Sequence, residues 1–401
     1  MRLAMFTDGR FVWDGGHRYF TRSNWRRALL YAYAQEFGAV RLFCRAAEGD
    51  LSGSPADEIF SDDVIEVVRL PSFRGRLGYF RHWLGIRRTI RDRLVGCDAI
   101  FVRIPDQISA LGVSVARTLG IPSVCQLVGD AEQVFGTDET LVRSALLRRL
   151  ISRQAYRYQY RLTNRCDGRA SISRALAAKY CRRPAETAII PNTRIADDWV
   201  VPPRRRAPGE PLRALYVGRL EHHKNVQLFL HAAARLVAGG RDITAEIVGE
   251  GRYRATLEQE AAALGLRDRV RFVGQRTGRA ALLEHYGRAH VLFLLSFTEG
   301  LGMVLIEGGA AGLPCVASRR GGIPDVAHEG ENAFLVEPDD PDGCAAALAR
   351  LYDDEPLRLQ MAERSQDMAR EYTLVRIAQR ARVAIGRVMD GRPAAGGDAE
   401  R

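Results

Sequence analysis

Residues 291–314 read VLFLLSFTEGLGMVLIEGGAAGLP. Five apolar residues run into a glycine-bearing loop and then into an apolar stretch of helical length. That predicts a buried strand feeding a helix through a short turn. Gly300 and Gly302 let backbone approach a ligand closely, and Ser296 or Thr298 is placed to cap the helix. The first helical amides then face outward, where they favour an anion by about 0.3–1 kcal/mol. Glu299 precedes the helix and Glu307 lies along it. At about 100° per residue, the two come within roughly 80° on a wheel that includes both. Carboxylates accept hydrogen bonds from hydroxyls, so the pair suits a polyol such as a sugar or ribose. Glu307 falls in an otherwise apolar helix, where an unpaired charge is costly.

The same strand–loop–helix unit recurs on either side. In LYVGRLEHHKN (215–225) a strand ends at Gly218, and Arg219 and Lys224 follow its carboxyl end. A guanidinium gives planar bidentate contacts to phosphate oxygens and an ammonium a compact charge. Together they neutralise a diphosphate and stabilise it as a leaving group. Lys224 and Lys179 are the only lysines among 59 basic residues, so neither reads as incidental surface charge. Strands at Leu212–Val217, Ile243–Val248, Val270–Val273, Val291–Leu295 and Cys315–Ala317 alternate with helices at Val226–Ala238 and Arg254–Leu264. An earlier set reads likewise: strands at Leu3–Phe6, Val40–Cys44, Ile65–Leu70, Ala99–Arg103 and Ser123–Leu127, with a glycine loop (Gly9, Gly15, Gly16) and a helical pattern over Trp25–Phe37. The fold class is α/β, two Rossmann-like doubly wound domains facing a cleft, with ligands at the carboxyl ends of the strands. PPRRRAPGEP (202–211) reads as the linker.

Of the 401 residues, 46% are apolar and 27% charged, which excludes a disordered, collagen-like or disulfide-stapled chain. No apolar run reaches the roughly 18–20 residues of a membrane span, and the apolar stretch in MRLAMFTDGRF is too short for a signal peptide. A cytoplasmic protein is expected, with the inner membrane face as a peripheral location. Seven cysteines without a CxxC pair argue against zinc or a disulfide framework and read as buried free thiols. Residues 1–205 hold 33 basic and 21 acidic residues, so the net charge of +11 sits in the first half. A basic half suits an anionic partner.

In order along the chain come VGRL…KN, the VGEG turn (248–251), FVG (272–274), Glu299-x7-Glu307 and SRRGGIPDVAHEGENAFLVEP (318–338). Together they resemble family-four glycosyltransferases of the GT-B fold. The N-terminal half agrees more loosely, through Gly15–Gly16, SISRAL (171–176) and IIPNT (189–193), and the resemblance covers about residues 1–390. It implies a retaining transfer from a nucleotide-diphosphate sugar, with no cofactor and no essential metal. By match to the motif, Arg219 and Lys224 hold the diphosphate, Glu299 with the amides of Gly300, Leu301 and Gly302 holds the donor sugar, and Glu307 the ribose hydroxyls. Val273 and Gly274 meet the base, and the Gly15–Gly16 loop approaches the phosphates and acceptor. The last helix, within EYTLVRIAQRARVAIGRV (371–388), is expected to return to the N-terminal domain. The implied domains are 1–203 with 372–390 on the acceptor side, 204–371 on the nucleotide-sugar side, and a disordered tail over 391–401.

One departure concerns VCQLVGDAEQVFG (124–136), which lacks the histidine many members carry there; Asp130 or Gln126 is the candidate in its place. RGRLGYFRHWLGIRRTIRDRL (74–94), with seven arginines and one acid, reads as a basic amphipathic helix for an anionic membrane surface, or as a domain helix with its aliphatic face in the core. RSALLRRLISRQAYRYQYR (143–161) reads as a packed helix with a solvated face, and nucleic acid is not an expected partner. DPD (340–342) matches the metal-binding DxD only literally, and GEGRYR (249–254) half-matches a dinucleotide fingerprint. The adjacent His222 and His223 lack the i, i+4 spacing of a shared metal face. The expected function is retaining transfer of a sugar from a nucleotide sugar to an acceptor hydroxyl on a carbohydrate or lipid-linked polysaccharide precursor. The alternatives are an epimerase or hydrolase on the same fold, or a non-catalytic nucleotide-sugar-binding subunit. An oxidoreductase ranks last, for want of a full glycine fingerprint.

Overall fold

A computed structural model describes residues 1–21, 27–49, 57–73, 75–132, 144–276 and 278–391. It resolves two compact α/β units, Met1–Arg194 with Leu374–Arg401, and Ile195–Thr373. Residues 392–401 of the expected tail lie outside the described residues.

The first unit comprises β1 (Arg2–Trp13), β2 (Arg18–Thr21), α1 (Arg27–Phe37), β3 (Ala39–Glu48), β4 (Asp57–Phe60), β5 (Ile65–Leu70), α2 (Gly75–Leu94), β6 (Ala99–Ile104), α3 (Gln107–Leu119), β7 (Ser123–Leu127), α4 (Ala145–Thr163), β8 (Gly168–Ser171), α5 (Arg174–Tyr180) and β9 (Ala188–Ile189). Parallel pairing orders the sheet β5-β3-β1-β6-β7-β8-β9, while β2 and β4 extend it antiparallel beside the far end of β1. The central strands are buried on both faces and mostly apolar, as cover by helices on either side requires. Asp106 caps α3 by accepting the Ser109 amide at 2.8 Å, and Gly120 closes it in a left-handed conformation.

The expected Leu3–Phe6 strand is longer than its apolar run. A register shift between Thr7 and Arg10 absorbs Asp8 and Gly9, and β1 continues against β3 as far as Trp13. Strand pairing there overrides the local loop signal. Gly15 and Gly16 then form a hairpin turn, in which Asp14 accepts the Gly16 amide at 2.9 Å and pairs with Arg18 at 2.6 Å.

The second unit comprises β10 (Leu212–Val217), α6 (Val226–Ala238), β11 (Ile243–Val248), α7 (Arg254–Ala263), β12 (Val270–Gly274), α8 (Arg279–Arg288), β13 (Val291–Leu294), α9 (Met303–Ala310), β14 (Cys315–Ser318), β15 (Ala333–Val336), α10 (Pro341–Asp353) and α11 (Glu355–Arg370). All pairs are parallel, in the order β12-β11-β10-β13-β14-β15. Its core stacks Phe229 on Phe293 at 3.8 Å between ring centroids. The 202–211 stretch belongs to this unit. Ile195 and Trp199 ahead of it are buried in the core, Arg204 pairs with Glu210 at 2.7 Å, and the buried Arg358 donates to the Arg204 carbonyl at 2.7 Å. The last helix, α12 (Leu374–Met389), packs in the first unit against α1 and strands β7–β9. Gly168 in β8 makes the approach possible, since a Cβ there would collide with Val388.

His290 is fully buried before β13, and its Nδ1 accepts the Arg213 amide at 3.1 Å. Burial, with Arg358 nearby, lowers its pKa to about 4. The unfolded imidazole therefore takes up a proton below about pH 6.5 while the folded one stays neutral. This contribution is complete above pH 6.5 and is lost as pH falls toward 4. The shift corresponds to about 3 kcal/mol. His290→Asn, whose side-chain oxygen can replace Nδ1 as acceptor, is expected to narrow the melting-temperature gap between pH 7 and pH 4.5. An unchanged gap in a thermal melt contradicts the assignment.

Candidate active site

In the second unit the chain turns from one sheet half to the other between β10 and β13. A crevice for ligand opens at the carboxyl ends of strands flanking such a switch point. The loops leaving these two strands carry the residues singled out in the sequence. Lys224 follows β10 and Glu299 follows β13, and Nζ meets Oε2 at 2.6 Å with both side chains under a fifth exposed. Ser296 donates to the same carboxylate oxygen at 3.4 Å. Arg219 presents an exposed guanidinium on the β10 loop, and its backbone carbonyl accepts the Tyr216 hydroxyl at 2.8 Å. Burial, with the charge of Glu299, raises the Tyr216 phenol well above its usual range, so it remains a donor. Burial, reinforced by Lys224 and Arg219, lowers the His223 pKa and keeps that ring neutral at neutral pH. His222 stacks on Phe297 at 5.8 Å and meets Tyr253 edge-on at 5.4 Å, an aromatic wall that no spacing rule in the sequence revealed.

Glu299 and Glu307 do not share a helix. α9 begins at Met303, so Glu299 lies in the loop and the wheel relation between the two carboxylates does not apply. Nor does Ser296 or Thr298 cap α9. The cap is Gly302, in a left-handed conformation (φ 86°) and without a side-chain cap bond. The Leu305 amide donates to the Gly302 carbonyl at 2.9 Å, and with no side-chain cap the amides before it are left for an anion or a polar ligand. Leu301 is buried. Glu307 is only 2% exposed, and Tyr286 from α8 donates to its Oε2 at 2.9 Å. Tyr286 answers the objection to a charge in an apolar helix, and sequence reasoning missed it.

Loops from neighbouring strands press these residues into place. Gly249 and Gly251, after β11, pack so closely on the Gly218 and Leu220 carbonyls that neither position has room for a Cβ. The Leu220 amide donates to Glu250 and the Tyr253 amide to Leu220, each at 2.9 Å. GEGRYR thus supports the VGRL loop rather than forming a dinucleotide fingerprint. After β14, Gly321 crosses Glu299 with equal intimacy, and the Gly322 amide donates to the Glu299 carbonyl at 3.1 Å. Val273 and Gly274 end β12 beside Glu250 and Arg254, which pair with each other. Asn225, buried and left-handed, donates to Leu295 and Pro338 carbonyls and so ties the start of α6 to the end of β13. DPD is a helix cap: Asp340 accepts the Gly343 amide at 2.8 Å and Asp342 pairs with Arg235 at 2.6 Å.

In the first unit, Asp130 is held by Lys179 and by the Tyr180 hydroxyl, each at 2.6 Å. Gln126 is buried between Arg103 and the Ile190 carbonyl. Both are thus committed to protein partners. Gly15 and Gly16 belong to this unit's hairpin, between β1 and β2. Asp8 and Asp106 meet at this unit's own switch point, between β1 and β6, where the Asp8 amide donates to Asp106 at 2.5 Å. Burial raises the Asp106 carboxyl to about 6 and also raises Asp8, against the pull of Arg45. Only the strand order marks this pair, and a linear sequence does not display it. Among the described residues no group of three or more His, Cys, Asp or Glu could hold a metal ion, and no helix is long and apolar enough to cross a membrane. All seven cysteines are free and buried.

Two doubly wound units, one with basic and acidic groups facing each other across its switch point, define the GT-B class. Residues 198–368 match the family described as glycosyl transferases group 1, and the second unit belongs to it, as the family-four motifs implied. D-inositol 3-phosphate glycosyltransferase of Corynebacterium diphtheriae is 33% identical over 191 residues, 45% of this chain and 44% of that protein. N-acetyl-alpha-D-glucosaminyl L-malate synthase of Bacillus anthracis is 34% identical over 157 residues, 39% of this chain and 40% of that protein. The matched stretches thus span less than half the length of these relatives. Over the whole fold, Anabaena Alr3699/HepE, solved in complex with UDP, superposes with a TM-score of 0.68 at 18% identity, covering 96% of this chain and 99% of that one.

Proposed function

We propose that the protein is a retaining glycosyltransferase that moves a sugar from a nucleotide-diphosphate sugar to an acceptor hydroxyl. The observation that carries this reading is the Lys224–Glu299 bridge across the switch point, with the exposed Arg219 guanidinium on the adjoining loop. The cations suit a diphosphate and the carboxylate suits sugar hydroxyls. As the bond to the anomeric carbon breaks, negative charge grows on the leaving phosphate oxygen, where Lys224 and Arg219 stabilise it. Glu299 and the amides from Gly300 to Gly302 orient the sugar, Glu307 holds the ribose, and the backbone at Val273–Gly274 meets the base. No cofactor or bound metal is required in this scheme, because two cations already serve the diphosphate. The basic first unit receives the acceptor. Its charge and the exposed Leu77, Phe80 and Leu84 of α2 support a lipid-linked polysaccharide precursor at an anionic membrane face.

The test is turnover of UDP-, GDP- and ADP-sugars in the presence of chelator, with and without a lipid-linked acceptor, followed by NMR of the product's anomeric centre. Acceptor-dependent transfer with retention is expected. Inversion contradicts the mechanism, and donor turnover without acceptor favours the hydrolase or epimerase alternative. Glu307→Gln should raise the donor KM by about 10- to 100-fold, the worth of a hydrogen bond to a charged group. Its melting temperature should barely move, because the amide oxygen can still accept from Tyr286. A collapse of the melting temperature instead assigns Glu307 a structural role.

A further inference from the structure

At the switch point of the second unit the loops leaving β10 and β13 run side by side, joined in step. The His222 ring stacks on Phe297, with centroids 5.8 Å apart and planes 24° from parallel. The Phe297 amide donates to the His223 carbonyl at 2.9 Å. Lys224 Nζ then meets Glu299 Oε2 at 2.6 Å. The aromatic pair therefore lies two residues from the ionic pair on each loop. Tyr253, whose amide is anchored on the Leu220 carbonyl, meets the His222 ring at 86° and backs the stack from a third loop. Phe297 lies outside the apolar core of its unit. At 40% exposure it is the only large apolar side chain of that unit that stands exposed among the described residues, and His222 is exposed beside it. Both hydrogen bonds to the Glu299 carboxylate end on Oε2, so Oε1 remains to accept from a ligand.

An open ring surface beside a carboxylate matches one ligand shape closely. A pyranose carries C–H groups on its faces and hydroxyls around its rim. The C–H groups lie favourably on the negative face of an aromatic ring, while rim hydroxyls donate to a carboxylate. A nucleobase also stacks on rings. Its expected contacts, however, are Val273 and Gly274 at the end of β12, which β11 separates from β10 in the sheet.

We propose that the His222–Phe297 pair is a shelf for the donor sugar, with the ring face of the sugar on Phe297 and a rim hydroxyl on Glu299, and that Phe297 is thereby a specificity-determining residue for the transferred sugar. The proposal rests on the reading of Lys224 and Glu299 as the donor site. It adds how that site grips the sugar as distinct from the nucleotide.

The experiment is calorimetric titration of UDP-glucose, GDP-mannose and ADP-glucose, and of UDP, GDP and ADP, into the full chain. The variants are Phe297→Ala, Phe297→Leu and Phe297→Tyr. Phe297→Ala should weaken the nucleotide sugar by about three- to ten-fold, the worth of one aromatic face, while the matching diphosphate binds as it does to wild type. Phe297→Tyr keeps the ring and should restore the affinity. Phe297→Leu keeps apolar bulk without a ring and should not. Equal losses for nucleotide sugar and diphosphate overturn the shelf and make Phe297 a support of the phosphate loop. Full affinity in Phe297→Leu overturns the stacking. Unchanged nucleotide-sugar affinity in all three variants overturns the proposal and leaves the donor site standing; a rise confined to the acceptor KM then moves the ring to the acceptor. Failure of wild type to bind any of the nucleotide sugars overturns the donor-site reading and the shelf with it.

Discussion

Lys224→Ala lowers kcat/KM for sugar transfer by about 10²–10³, the usual cost of removing one group aimed at charge that develops in a transition state. The expectation is strong because Lys224 serves two partners. It faces the site where the diphosphate departs, and it holds Glu299 at 2.6 Å across the switch point. Without the ammonium the carboxylate loses its counter-charge and turns against the donor's phosphates. Both side chains are mostly covered, so water replaces the lost partner poorly. Steady-state kinetics on donor and acceptor check this, with Lys224→Arg as the companion. Arginine keeps the charge but enlarges the head, so it should recover only part of the rate. Wild-type kinetics in Lys224→Ala contradict the assignment.

Gly321→Ala should be among the most damaging changes that leave every charged side chain in place. The residue is left-handed (φ 57°), and its Cβ would collide with the Glu299 carbonyl. The conformation costs an L-residue about 1–2 kcal/mol and a forced overlap about 1–3 kcal/mol. The melting temperature of the second unit should fall by roughly 5–15 °C, and the Glu299 loop must move. A displacement of about 1 Å at a reacting centre can cost 10² in rate. Gly330→Ala is the control, because Gly330 is also left-handed (φ 75°) but has open space where a Cβ would stand. It should show only the conformational penalty and normal kinetics. Equal behaviour in the two variants contradicts the crossing of the two loops as the means that holds Glu299.

The second unit was the more legible half because its elements are marked by local signals. Leu212–Val217, Ile243–Val248 and Val226–Ala238 appear where apolar runs end in glycine turns or capped helices. Arg219, Lys224 and Glu299 could be picked out because loops at strand ends carry unusual charge. Their pairing could not be, since a contact 75 residues apart depends on strand order. The misread helix start has a simple cause. Ser296 and Thr298 satisfy the rule for capping residues, but a left-handed Gly302, packed against Leu294 and Leu305, starts α9 later. In the first unit β1 outran its apolar stretch because β3 pairs with it past the bulge, which is tertiary information. The 74–94 helix divides its apolar residues: Ile86 and Ile90 are in the core, as the packed-helix reading expects, while Leu77, Phe80 and Leu84 are outside.

The central claim is that Arg219 and Lys224 form a diphosphate site that needs no metal. Calorimetric titration of UDP, GDP and ADP in excess chelator, into wild type, Arg219→Ala and Lys224→Ala, tests it most directly. The account predicts that at least one nucleoside diphosphate binds wild type and that each variant weakens that binding ten-fold or more, with unchanged melting temperature in the Arg219 variant. Equal affinity in wild type and both variants, or binding that appears only when a divalent cation is restored, would contradict it.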